Sequence, residues 1–211
     1  MRTKFAIILS FFLLSHIMSI NAPAEVDIGL SIDEDGIKSF YIAIGDYYDA
    51  PEKEIAVVKK HKVPDEDLSV VFFLSGRAKV SSQAIIDLHL EGKTWMEITL
   101  HYGLGPEIYY VPINEKAGPP YGKALGHFKN KQKNKWKEIR FHDDEIINLV
   151  NLKFMSEYHG YSPDDIIKMR AKGKNFLLIN KEIKKAKKEH KLKVSKKASK
   201  VKIKEKAKKK K

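Results

Sequence analysis

Residues 81–95 read SSQAIIDLHLEGKTW, and residues 162–176 read SPDDIIKMRAKGKNF, so two similar segments lie 81 positions apart. Ser81 and Ser162 stand where a helix N-cap is expected, and Pro163 suits the first helical position. Gly92 and Gly173 then mark the helix ends, because glycine adopts the left-handed conformation without a steric cost. Each segment therefore predicts a capped helix followed by a tight turn.

The similarity extends on both sides of these segments. The pairs that match in type are Phe73/Phe154, Leu74/Met155, Ser75/Ser156, Ile85/Ile166, Ile86/Ile167, Leu88/Met169, Gly92/Gly173, Trp95/Phe176 and Ile98/Ile179. Two copies of a unit of about 35 to 40 residues are fewer than a solenoid needs. The alternative interpretation is a chance similarity between two amphipathic helix pairs.

Each copy predicts three helices. Asp65 and Asp144 are the predicted N-caps of a leading helix, over residues 68–74 in one copy and 146–158 in the other. The segment SVVFFL alone is also compatible with a buried strand, and the helical pattern of IINLVNLKFM favours a helix in both copies. We therefore expect helical unit 1 at residues 65–104 and helical unit 2 at residues 143–190.

Alternating apolar residues precede the first unit. VDIGLSI and IKSFYIAI flank DEDG within residues 26–44, which is typical of a β-hairpin, and residues 55–58 read as a third short strand. A hairpin region is thus expected at residues 25–64. The acidic turn lacks the twelve-residue ligand spacing of a calcium loop. The predicted fold class is α+β, mainly α: a short N-terminal β-hairpin plus two related three-helix units joined by a long Gly/Pro loop.

That connection covers residues 105–142. It contains the strand-like run IYYVPI, the segment GPPYGKALG and lysines that alternate with polar residues around Trp136. A loop of this length inside a compact domain is either functional or disordered. The sequence leaves both alternatives open.

The N-terminus has the pattern of a signal peptide over residues 1–24. Arg2 and Lys4 precede an uncharged run rich in Phe, Ile and Leu, and Ala22 and Ala24 form a small-x-small cleavage site. The alternative is an uncleaved anchor helix. With cleavage we expect no integral membrane span and a periplasmic or secreted location. The absence of cysteine excludes a lipoprotein anchor, disulfides and thiol catalysis.

The positive charge is concentrated at the C-terminus. The net charge of the chain is +13, whereas residues 181–211 carry 17 Lys and 3 Glu. We predict a disordered Lys-rich tail at residues 191–211, because a block this basic repels itself. Its predicted partners are anionic envelope polymers or lipids. The candidate polyanion-binding residues are Lys191, Lys193, Lys196, Lys197, Lys200, Lys202, Lys204, Lys206, Lys208, Lys209, Lys210 and Lys211.

Two resemblances accompany these patterns. SSQAIIDLHLEGKTWMEITLHYGL resembles the helix-turn-helix of resolvases or sigma factors, although the second helix offers Glu97, Thr99 and His101 in place of basic groups. That resemblance implies a nucleic-acid-binding protein, which is the alternative function. WMEITLHYGLGPEIYYVPI and GPPYGKA resemble a small group of uncharacterised exported bacterial proteins, which implies export and no particular activity.

Catalytic and metal-binding patterns are absent from the sequence. There is no G-x-S-x-G and no phosphate-binding glycine loop that ends in Lys-Ser/Thr. The acids at residues 143–145 are explained by helix capping. We therefore predict no catalytic residue, metal or cofactor and favour a non-enzymatic protein of the envelope or surface. A hydrolase whose residues meet only in the fold is a third interpretation.

Overall fold

The structure is a computed structural model that describes residues 34–113 and 117–208, with side chains described as far as residue 195. The described residues form nine α-helices and two 3₁₀ helices, and they contain no strand. The α-helices are α1 Glu34–Tyr48, α2 Glu52–Lys60, α3 Leu68–Ala78, α4 Ser82–Leu90, α5 Trp95–His101, α6 Tyr121–Asn130, α7 Asp143–His159, α8 Pro163–Arg170 and α9 Phe176–Lys208. The 3₁₀ helices are Pro106–Tyr109 and Lys133–Glu138.

The prediction of an N-terminal β-hairpin, and with it the α+β class, is wrong. Residues 26–33 lie outside the described part of the chain, but the rest of the expected hairpin is α1. Phe40, Ala43 and Ile44 are fully buried at helical spacing, so the apolar pattern serves a period of 3.6. The expected third strand lies in α2, where Ile55 and Val58 face the core three residues apart.

The connection at residues 105–142 is also more regular than predicted. It contains α6 and both 3₁₀ helices, and the run at 108–113 completes the first 3₁₀ helix before it becomes extended. Tyr121, Ala124 and Phe128 of α6 are buried, which attaches the helix to the core. The expectation of one long loop is therefore wrong.

Three helices occur in each predicted unit, α3–α5 in unit 1 and α7–α9 in unit 2. The N-cap predictions for α4 and α8 are confirmed, since Ser81 Oγ accepts a hydrogen bond from the Ala84 amide and Ser162 Oγ from the Asp165 amide. The predicted caps of the leading helices are wrong. Asp65 accepts hydrogen bonds from Lys59 and Tyr41, and the start of α7 is capped by the His142–Glu145 capping box.

Beyond the caps, the two units make the same local contacts 81 residues apart. His89 stacks on Trp95 with ring centroids 3.9 Å apart, and the Arg170 guanidinium lies 4.9 Å from the ring centre of Phe176. His89 Nδ1 lies 3.0 Å from the carbonyl oxygen of Lys93, and Arg170 Nη1 donates to that of Lys174 at 2.9 Å.

The third helices also start in the same way. Thr94 Oγ1 accepts from the Glu97 amide, and Asn175 Oδ1 accepts from the Leu178 amide. Gly92 and Gly173 have φ of 90° and 80°, as their turns require.

The units pack on each other through their leading helices, α3 and α7, and α7 contacts α1, α5, α6, α8 and α9 as well. Each unit also caps the third helix of the other. Asp143 Oδ1 accepts from the Trp95 amide at 2.8 Å, and Glu66 Oε1 accepts from the Phe176 amide at 2.6 Å. Because a carboxylate stabilises a helix N-terminus, this reciprocal capping fixes α5 and α9 relative to the shared core.

Candidate polyanion-binding helix

The N-terminal turns of α9 are held in the core. Phe176, Leu177, Ile179 and Ile183 are buried, and α9 packs against α1, α7 and α8. The apolar spacing places these side chains on one face, which burial on three neighbours stabilises. The root of the helix, which we define as residues 176–183, is therefore as firmly positioned as any core element.

Polar contacts lock this root in place. Asn180 is fully buried, with its Oδ1 3.0 Å from His159 Nε2. Lys184 Nζ donates to the Ser39 carbonyl at 3.2 Å, and Lys187 Nζ donates to the His159 carbonyl at 2.8 Å. These two amines connect α9 to the middle of α1 and to the C-terminal end of α7, and burial lowers the pKa of Lys184.

His159 is the titratable group below this root. Burial lowers its pKa to about 4, and the nearby charges of Lys187 and Lys184 act in the same direction. The imidazole is therefore neutral at physiological pH and serves as a structural partner of Asn180.

The predicted tail at residues 191–211 begins within α9, which is continuous to Lys208. Lys, Ala, Leu and Glu are strong helix formers, and the anchored root supplies the nucleus that an isolated helix would have to form. From Lys184 to Lys208 the helix extends for about 36 Å at 1.5 Å per residue. The basic segment is a rod attached to the core.

The structure accounts for the predicted polyanion-binding residues in three groups. Lys191 and Lys193 are exposed on α9. A second group is placed on the helix backbone without described side chains: Lys196, Lys197, Lys200, Lys202, Lys204, Lys206 and Lys208. Lys209, Lys210 and Lys211 lie outside the described residues.

Sequence reasoning missed two lysines that belong to the same rod. Lys185 and Lys188 are exposed on α9, one turn beyond the buried Ile183. They precede residue 191, where the predicted tail begins, although they belong to the basic stretch of residues 181–211. Burial of Ile183 is the better marker of where the exposed helix begins.

Residues 184–208 contain thirteen Lys and two Glu, and the lysines occupy every face of the helix at 3.6 residues per turn. Leu192 and Val194 are about half exposed and point to different sides, so no apolar stripe forms along this part of the helix. Many lysines repeat at four-residue spacing, as Lys193 and Lys197 do, and like charges at that spacing destabilise a helix. The rod is therefore a multisided cationic surface that anions would stabilise.

The helix pairs that resemble a helix-turn-helix have a different surface. On α5 the exposed side chains are Glu97, Leu100 and His101, whereas Trp95, Met96, Ile98 and Thr99 are buried. Hydrogen bonds from the Thr94 amide and hydroxyl lower the pKa of Glu97 and keep it anionic. The second helix of unit 1 thus presents an acid to solvent.

Within the part of the chain that the structure describes, no helix is long and apolar enough to cross a membrane. The same described residues hold no group of three His, Asp or Glu side chains placed to bind a metal ion. Glu34, Asp35 and Gly36 of the DEDG segment lie in the first turn of α1, and the predicted signal peptide lies outside the described residues.

Comparison with known proteins gave no match to a family model, a curated protein or a solved structure.

Proposed function

We propose that this chain is an exported, non-enzymatic protein of the bacterial envelope or surface that binds anionic polymers or lipids through α9. The observation that supports this proposal is the rooting of α9: Phe176 and Ile183 are buried in the core, while Lys185, Lys188, Lys191 and Lys193 are exposed beyond them. A core that fixes the base of a cationic helix holds the charges at a defined position.

Counterion release is the expected driving force. Each lysine that neutralises a phosphate, sulfate or carboxylate releases a condensed cation, so affinity falls steeply with salt. Near an anionic bilayer each lysine contributes about 1 kcal/mol, and the effect is screened over a Debye length. Binding would also reduce the repulsion between lysines at four-residue spacing, so we expect bound anions to raise the temperature at which α9 melts.

The test compares two four-lysine variants of the full chain on immobilised heparin. The first replaces Lys191, Lys193, Lys196 and Lys197 with Gln, and the control replaces Lys38, Lys53, Lys60 and Lys62, which are also exposed. We expect the first variant to elute at clearly lower salt and the control to elute close to the unaltered chain. Equal elution of the two variants would refute a role for α9.

The alternative is a nucleic-acid-binding protein, since a cationic helix contacts the phosphate backbone of DNA as readily as other polyanions. Export distinguishes the two functions. Mass spectrometry of the N-terminus of the chain isolated from its cells should find Glu25 as the first residue. An intact Met1 in the cytoplasmic fraction, together with tight binding to duplex DNA, would favour the alternative.

A further inference from the structure

A second basic region surrounds a pocket near the N-terminal end of α7, away from the C-terminal end where Lys187 contacts His159. The pocket has a volume of about 550 Å³ and lies between α6, residues 110–113 and the second 3₁₀ helix. This volume is within the usual range for sites that bind small molecules. α6 packs on α7 near Glu145, whereas Lys187 of α9 contacts the other end of α7 at His159.

Apolar groups make up the interior of the pocket. Val111, Leu125 and Phe128 are buried and form its floor. Gly126 on α6 widens it, because a Cβ there would have only Asn130 Nδ2 nearby, at 3.9 Å. A larger residue at this position would point into open space that a ligand can occupy.

The aromatic wall offers apolar surface and few free polar atoms. The Trp136 indole N–H donates to the carbonyl oxygens of Phe128 and Lys131 at 3.2 and 3.1 Å, which satisfies the polar atom of the indole and pins its ring. Tyr110 and Phe128 each lie 4.8 Å from Trp136, centre to centre. Contact with this wall therefore favours hydrocarbon over a polar solute.

The rim of the pocket is cationic. Lys129 lines the opening and is exposed. Lys133 does not line the pocket itself, but its ammonium lies 5.9 Å from the centre of the ring of Trp136, which does. Residues 121–140 carry seven Lys and Arg against one acid, Glu138, which pairs with Lys131 at 3.5 Å. A ligand with a negative head group would thus be complementary to the rim.

From this combination we infer that the pocket binds an anionic lipid, with one acyl chain inside and the anionic head at Lys129 and Lys133. A simple anion would not use the apolar interior, and a neutral hydrocarbon would not use the lysines. Stacked nucleobases are a poorer fit, because Phe128 lies 68° from the plane of Trp136 and 73° from that of Tyr110, which leaves no parallel platform. The site is separate from α9.

Calorimetric titration of the full chain with monomeric decanoate tests the inference. We expect saturable binding of one decanoate per chain. Gly126→Leu should fill the pocket and weaken binding at least tenfold, and Gly126→Ala should weaken it less. Both substitutions raise helix propensity, so α6 should remain folded, which far-ultraviolet circular dichroism checks.

Charge and location are tested separately. Lys129→Gln should weaken decanoate binding several-fold and leave decanol binding unchanged, whereas Lys135→Gln, an exposed lysine outside the pocket, should affect neither. The four-lysine variant of α9 should bind decanoate normally, so a failure of the α9 proposal does not affect this one. Unsaturable heat, unchanged binding by Gly126→Leu, or displacement of decanoate by oligothymidylate would overturn the inference.

Discussion

Units 1 and 2 share their local chemistry and differ in how their third helix ends. In both, a capped helix leads to a left-handed glycine, and a buried aromatic residue, Trp95 or Phe176, starts the next helix beneath His89 or Arg170. α5 then ends at His101 after seven residues, whereas α9 continues for 33.

Backbone hydrogen bonds with the same spacing recur from Ser75/Ser156 to Ile98/Ile179, as the prediction of two copies of one sequence unit leads us to expect. The copies differ where the third helix leaves the core. Thr99 bonds to Tyr109, so the chain after α5 folds back over unit 1. Asn180 bonds to His159, and α9 runs outward. The shared part supplies stability, and the part present only in unit 2 supplies the cationic surface.

Truncation of the two buried aromatic residues should cause the largest loss of stability in both units. Trp95→Ala and Phe176→Ala should each lower the free energy of unfolding by about 3–5 kcal/mol, since both side chains are fully buried. Trp95→Ala should cost more, because the indole N–H also donates to Asp67 at 3.3 Å and its loss leaves a buried carboxyl without that donor.

Urea unfolding measures both values, and Trp95→Phe is the control that keeps a ring under His89. A loss below about 1 kcal/mol for either alanine variant would contradict the assignment of that residue as a core anchor.

Each unit also contains a titratable group whose pKa is shifted by burial, His159 in unit 2 and Asp67 in unit 1, and the two act in opposite directions with pH. His159 has a folded pKa of about 4 against 6.5 when free, so stability is lost as the pH falls from 6.5 towards 4. Burial raises the pKa of Asp67 to about 6 from 3.8, so this group adds stability over the pH range 6 to 4 as it takes up its proton. Each contribution is at most about 3 kcal/mol.

The two slopes should therefore offset one another in the unaltered chain. In Asp67→Asn only His159 contributes, so the free energy of unfolding should fall as the pH is lowered from 6.5 to 4. In His159→Gln only Asp67 contributes, so the free energy of unfolding should rise as the pH is lowered from 6 to 4. Denaturant unfolding across that pH range gives the slopes. If neither variant changes the pH dependence of the free energy of unfolding, His159 and Asp67 are not the groups responsible for it.

The local features of the units were accessible from sequence because they depend on few neighbouring residues. A serine cap, a helix-ending glycine and an apolar residue at i+3 each act within one or two turns, and residues 81–95 contain all three. The prediction for the α1 segment was wrong because its secondary structure depends on residues that are distant in the sequence. IKSFYIAI satisfies both a period of 2 and a period of 3.6, and only its packing against α3, α7 and α9 selects the helix.

The candidate site was likewise predictable from sequence only in the features that depend on local composition. The charge count located the lysines, but it gave no indication that the basic segment continues from a helix anchored in the core. Burial of Ile183 and the contacts of Lys184 and Lys187 with distant carbonyls depend on the tertiary fold. The reciprocal capping by Glu66 and Asp143 joins residues 110 and 48 positions apart, and no local pattern predicts it.

Removal of those caps should have an intermediate effect. Glu66→Ala and Asp143→Ala should each cost roughly 1.5–3 kcal/mol, the usual contribution of a hydrogen bond to a charged group. Glu66→Ala should be at the upper end because Arg170 also loses its partner at 3.5 Å.

The two caps lie at different helix ends, but both carboxylates act on Asp67, so the losses of the double variant in urea unfolding should depart from additivity. Glu66→Gln, which retains an acceptor oxygen, is the control and should recover part of the loss. If both alanine variants were as stable as the unaltered chain, reciprocal capping would make no contribution to how the units are held together.

The smallest effect is expected at the N-caps, where the two units should be most alike. Ser81→Ala and Ser162→Ala each remove one acceptor for a helix amide and should cost about 1 kcal/mol, as measured by urea unfolding. Ser81→Asp and Ser162→Asp are the controls, since Asp also caps well. Ser162 Oγ additionally donates to Asp165 at 2.6 Å, but that carboxylate is exposed and solvent replaces the contact, so the two losses should agree within about 0.5 kcal/mol. A clearly larger loss for Ser162→Ala would mean that α8 contributes more to stability than α4 does, because α8 packs against the root of α9.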